Sequence, residues 1–194
     1  YAFNSARYEV KKDNWNDVNL EIYYHKPHTY NLDRMMKGIK ASLDYNSKNF
    51  SPYQHKQVRI IEFPRTEGSF AQAFPNTIPF SEAIGFIADV DKKDEGVDYP
   101  FAVTVHELAH QWWAHQVIGA DVLGATMLSE SLSEYVALKV LEHKAGKTEM
   151  RKFLKKSLDG YLTQRTMERK REKPLMYNDG QGYIRYQKGS LIFY

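Results

Sequence analysis

The chain has no cysteine among its 194 residues. That rules out disulfides and thiolate metal sites, although it does not fix the compartment. Charge of one sign is also missing. Lys and Arg total 27 against 24 Asp and Glu, a formal net charge of +3. Nothing in that balance makes a general case for nucleic-acid binding. No apolar run approaches the roughly 18 to 20 residues of a membrane span. There is no initiator Met and no signal-peptide pattern at Tyr1, and the stretch Lys188 to Tyr194 stops in an apolar segment with no helix-stop signal. The expectation is a piece of a longer protein whose targeting lies outside this stretch. Compartment and oligomeric state stay open.

What is present fits a soluble globular domain: 42% hydrophobic and 26% charged residues. The length allows one sizeable core or two tightly joined subdomains. Residues 1–16 follow no clear period. Val18 to His25 alternates and predicts a strand, ended by Pro27. Asn31 is the expected N-cap of a helix to Asn49, with Leu32, Met35, Met36, Ile39 and Leu43 as its apolar stripe. That Met-rich stripe reads as core rather than a cofactor pocket. Gln57 to Phe63 predicts a short strand ended by Pro64. Ser69 to Phe74 and Ile78 to Asp89 both read as strands, and prolines 75 and 79 place them at a sheet edge. Asp91 to Gly96 reads as a charged, solvated loop.

The second half reads as helical. Asp98 caps a helix with Pro100 in its first turn. Phe101, Val103, Val105, Leu108, Trp112 and Trp113 surround it, the pattern of a buried helix. Gly119 to Gly124 interrupts. A helix from about Met127 to Ala145 follows, packed through Leu128, Leu132, Tyr135, Val136, Leu138 and Leu141, with Gly146 as its stop. Thr148 to about Gln164 is amphipathic, with Met150, Phe153, Leu154, Leu158, Tyr161 and Leu162 expected on the buried side and Lys152, Lys155 and Lys156 on the wet one. Arg165 to Gly182 holds a turn at Asn178 to Gly180, and helix resumes at Tyr183. The fold class is α+β: a mixed sheet subdomain over 1–95 and a helical subdomain over 96–194.

The chemistry concentrates in His106-Glu107-Leu108-Ala109-His110, an H-E-x-x-H motif. On a helix, residues four apart share a face, so both imidazoles can reach one zinc ion. Two His and a Glu inside a buried helix would otherwise be unpaired polar groups. Glu107, beside the first ligand, is placed to take a proton from activated water. A catalytic zinc needs a third protein ligand and an open position. Glu130, twenty positions beyond His110 on the next helix, is the choice. Glu134, one turn on, could hydrogen-bond a ligand imidazole. Spacing alone singles out no oxyanion donor among the fourteen Tyr residues. His25, His28, His55 and His115 read as structural or surface histidines, His115 pointing away from the ligand face.

HELAHQWW followed by LSESLSEYVAL resembles the aminopeptidase N-like gluzincin family of zinc metallopeptidases. The resemblance covers residues 78–194 and implies a thermolysin-like fold, one Zn2+ in the cleft between the subdomains, and a peptide substrate. Tyr186-Gln187-Lys188-Gly189 matches the family's downstream Tyr-Glu-Lys-Gly, which makes Tyr186 the oxyanion-stabilising tyrosine. Ser81 to Ile87 looks like the family's G-x-M-E-N strand, which puts Glu82 in the place of the acid that binds the substrate's free α-amine. An edge strand there would align an extended peptide. Pro79, Phe80, Ser81 and Ala83 depart from that motif. Family members add flanking domains, and some bacterial relatives look like peptidase regions joined to membrane permease-like segments.

Nineteen residues separate His110 from Glu130, one more than this family usually has. That spacing is the thermolysin-like branch's, as is an acid four after the third ligand. That branch uses a downstream His, and His143 comes too early for that role. Tyr186 and Trp112-Trp113 favour the aminopeptidase branch. The extra residue is expected as a longer turn or bulge within Gly119 to Thr126. The leading reading is a zinc-dependent aminopeptidase. The rivals are a thermolysin-like endopeptidase and an inactive zinc-holding regulatory domain of a membrane protein, against which the intact Glu107 argues.

Overall fold

The structure, a computed structural model, describes residues 4–90, 97–178 and 180–194. The charged stretch 91–96, with the expected subdomain boundary inside it, and Asp179 of the expected turn lie outside the described residues.

A four-stranded sheet runs in the order β1 (Glu9–Trp15), β2 (Val18–Tyr24), β3 (Gln57–Phe63), β4 (Thr77–Ser81). β1 is antiparallel to β2, while β2, β3 and β4 are parallel. Parallel neighbours need a crossover, and α1 (Leu32–Asn49) supplies it between β2 and β3. Alternation sets one sheet face inward. Val58, Ile60 and Glu62 are the buried residues of β3. Leu20, Ile22, Ile60, Ile78 and Phe80 pack against Met35, Ile39 and Leu43 of α1, all fully buried.

α2 (Tyr99–Ala109) lies across α1. Asp98 caps it, its Oδ1 accepting from Phe101 N at 3.1 Å. The helices meet closely at Gly38, where a Cβ would come within 3.1 Å of Thr104 Cγ2 and 3.2 Å of Phe101 O. α3 (Leu132–Ala145) packs on α2 through Val136 and Val140 against Phe101, Val105 and Ala109. α4 (Lys147–Met167) and the short α5 (Gly189–Phe193) complete the helical side.

Several expectations change. β1 is a strand that periodicity missed, because its burial is mostly exposed and carries no apolar alternation. Asn31 is the N-cap residue of α1, as expected, but its side chain makes no capping bond; its Nδ2 donates instead to Gly85 O and Ala88 O at 2.7 and 2.9 Å. The expected strand at Ile78 to Asp89 ends at Ser81 and gives way to turns. Ser69 to Phe74 reaches β4 only by isolated bridges, Ala71 to Phe80 and Phe74 to Thr77. Pro79 has no N–H to return to Gln72, so the ladder breaks there. α2 stops at Ala109, leaving Trp112 and Trp113 in a turn. On α4 only Met150 is buried, and Leu158 and Leu162 are exposed, because no described element covers that stripe.

Candidate metal centre

α2 carries His106 and His110 on one face, and their Nε2 atoms stand 3.1 Å apart. Glu130 reaches across from the start of the next helix. Its Oε2 is 3.5 Å from both nitrogens. Oε2 is buried and has no hydrogen-bond partner. Three lone-pair atoms thus converge, the donor set and spacing that one Zn2+ takes. The residues fit the ion that the motif implies.

Neighbouring groups orient the imidazoles. His110 Nδ1 lies 3.0 Å from the Trp113 carbonyl and 3.1 Å from Ser133 Oγ. A proton on Nδ1 would donate to that carbonyl and leave Nε2 as a lone pair. His106 Nδ1 faces Glu134 Oε1 at 3.4 Å. Glu107 is buried beside them and lines the same cleft.

Two π-turns shape the site. Met127–Ser131 opens the helix that continues as α3, and Glu130 sits on it. A π-turn holds one more residue than an α-turn would. A bulge is therefore present, one residue past the stretch where the spacing placed it. Ile184–Lys188 is the second π-turn and carries Tyr186. The turns pack back to back, with Ser131 Oγ donating to Arg185 O at 2.7 Å. A Cβ on Gly189 would fall 2.4 Å from Ser131 Oγ, so only glycine allows this approach. The Tyr186 ring lies 6.2 Å from that of His106, and its hydroxyl feels the charge of Glu130.

Burial alone would lower the His106 pKa. The charge of Glu134, the Glu130 carboxylate 3.5 Å away and the charge of Glu107 override it and raise the value to about 9. Burial raises Glu107 and Glu134, against the opposing pull of the histidines. Glu130 moves the other way, since the attraction of both nearby histidines outweighs its burial. The signs predict how the metal-free chain responds to pH. His106 binds its proton more tightly folded than unfolded, as do Glu107 and Glu134. The His106 contribution is fully present below its unfolded value of about 6.5. It is lost as pH rises through about 9. Glu130, with its depressed value, contributes throughout that window. The urea midpoint of EDTA-treated protein should therefore fall between pH 6.5 and 9. A midpoint that rises there would overturn this charge assignment.

A cleft of about 680 Å³ opens over these residues. Ser69 to Ala73 forms one wall. Glu82 is not among the lining residues. Its carboxylate accepts from Arg65 N at 3.2 Å and lies 3.8 Å from His28 Nδ1. With its strand gone, Glu82 stands beyond the end of β4, away from the cleft. His28, Glu62 and Glu82 form a second His/Glu group. There His28 bonds Glu62 directly, and the other Glu62 oxygen takes the His25 N–H at 2.5 Å. Protein groups satisfy that buried carboxylate.

Two lining residues escaped sequence reasoning. Gln72 faces the cleft from the wall segment. His115, expected to point away, also lines it, because Ala114 adopts a positive φ of 136° and turns the chain back. Nothing in an alanine announces that conformation.

No family model matches the chain, and no curated protein matches it. Solved structures do. The M1 zinc metallopeptidase from Deinococcus radiodurans superposes with a TM-score of 0.62 at 18% identity, over 95% of this chain and 39% of that one. An alanine mutant of that enzyme gives 0.62 at 17% identity, and the same mutant bound to a Tyr-Ser-Ala substrate gives 0.60 at 16%, with the same coverage. The chain shares the fold of M1 zinc metallopeptidases. It spans 39% of the length of these structures. No helix among the described residues is long and apolar enough to cross a membrane.

Proposed function

We propose that the chain is the zinc-binding catalytic region of a peptide-bond hydrolase. The observation that carries this reading is the convergence of His106, His110 and Glu130, with Glu130 Oε2 buried and otherwise unpartnered. When bound, zinc supplies Lewis-acid polarisation of the peptide carbonyl and acidifies water. Glu107 takes the proton from the attacking water and returns it to the leaving amine. Its raised pKa suits both transfers. Glu134 holds His106 by its Nδ1 edge. Tyr186 donates its O–H to the developing oxyanion. An extended peptide lies along Ser69 to Ala73, which line the cleft.

Within this class the aminopeptidase reading rests on Tyr186 and on the M1 fold. It also needs a carboxylate for the substrate's α-amine. Among the described residues, the acids lining the cleft are Glu107, Glu130 and Glu134 at its centre, and its wall offers the neutral Gln72. That placement favours the second reading, an endopeptidase, which needs no amine anchor. One substrate pair separates them. Peptides identical but for an acetylated N-terminus should be cleaved at similar rates by an endopeptidase. Loss of cleavage on acetylation restores the aminopeptidase reading and requires an amine anchor other than Glu82.

A further inference from the structure

We infer that Gln111 is a positioning residue that sets the wall segment Phe70 to Phe74 at its height above the metal centre. The inference rests on the peptidase reading in one respect, that a peptide lies along this segment.

The segment is weakly tied to the sheet. Ser81 N donates to Phe70 O at 2.9 Å and Gln72 N to Pro79 O at 3.1 Å. Pro79 can return no N–H, so the Gln72 carbonyl receives nothing from β4. At the tip, Phe74 and Thr77 exchange two bonds of 2.9 and 3.1 Å. The turn between them holds Asn76 at a φ of 55°, in the left-handed region.

Gln111 closes on that tip. Its Nε2 donates to Phe74 O at 2.9 Å, and its Oε1 accepts from Asn76 N at 2.8 Å. The side chain is 1% exposed, so these backbone groups are its partners in place of water. It follows His110 directly. One peptide bond therefore joins a metal-ligand candidate to the residue that fixes the wall. His115, from the same turn, lines the cleft together with Ala73. An apolar residue of the same length at 111 would leave the half-buried Asn76 N–H without this partner.

The test uses Gln111→Met, which keeps length and volume, in the full chain loaded with zinc. Amide hydrogen exchange is read first. The amides of Gln72, Phe74 and Asn76 should exchange at least ~10-fold faster, a local opening, with those of Leu20 and Ile60 unchanged. Binding is then read in the Glu107→Gln background, with a fluorescent hexapeptide and a dipeptide. The hexapeptide should bind ~10-fold more weakly, about 1.4 kcal/mol. The dipeptide, too short to run along the wall, should change less than ~3-fold, under 1 kcal/mol. Unchanged exchange, exchange accelerated throughout the chain, or equal weakening of both peptides overturns the assignment. A parent chain that binds neither peptide overturns it as well. Length-dependent binding with no cleavage by the wild-type chain keeps the positioning role and sinks the peptidase reading.

Discussion

Glu107→Gln should leave zinc content at one ion per chain and lower peptide hydrolysis by ~10²- to 10⁴-fold, the usual contribution of a positioned general base. The substitution is nearly isosteric. Glu107 is not one of the three residues whose atoms converge, so the donor set survives. Its buried site tolerates an amide better than an unpaired charge. What disappears is the only group of the pair that accepts a proton. Burial raises the Glu107 pKa. The acid limb of the kcat/KM profile should therefore lie above the ordinary carboxylate range and vanish in the variant. Metal analysis and initial rates on one preparation decide the matter. Turnover within ~3-fold of wild type, with zinc retained, would remove Glu107 from the chemistry.

Much of this arrangement was legible in the sequence, for reasons that can be named. H-E-x-x-H needs only helical periodicity to bring His106 and His110 together, and Asp98 with Pro100 marks where that helix begins. Val58, Ile60 and Glu62 follow the two-residue period of β3. Failures came where tertiary contacts override local pattern. Glu82 looked like part of a strand because Ile84, Phe86 and Ile87 continue the apolar character of β4. The chain turns there instead, and Asn31 holds the turn by donating to Gly85 O and Ala88 O. The wall segment was seen as a strand, but its broken pairing follows from the missing N–H of Pro79. Glu130 was placed by spacing. The π-turn that carries it leaves no composition signal, since Met127 to Ser131 is ordinary helix sequence. The same holds for the π-turn beneath Tyr186, and the Ser131 to Arg185 bond that joins the two spans 54 residues of chain.

That join bears on the second large effect. Tyr186→Phe should lower kcat by ~10²- to 10³-fold while KM and zinc content stay close to wild type. The ring keeps its place in Phe, because Gly189 and Ser131 fix the turn from behind and the Arg185 guanidinium covers the ring at 5.1 Å. Only the hydroxyl goes. Burial and the charge of Glu130 push its pKa upward. It therefore stays a protonated donor across the neutral range and adds no basic limb of its own to the rate profile. The hydroxyl has two duties to separate, since it also interacts with the charge of Glu130. The two differ in what added metal does. If Tyr186 acts on the oxyanion, excess zinc leaves the defect in kcat untouched. If it serves only to steady Glu130, zinc affinity falls and saturating zinc restores the rate. Restoration would reassign Tyr186 to holding the metal centre, and the oxyanion would need another donor. His115, already facing the same cleft, would be the first to test.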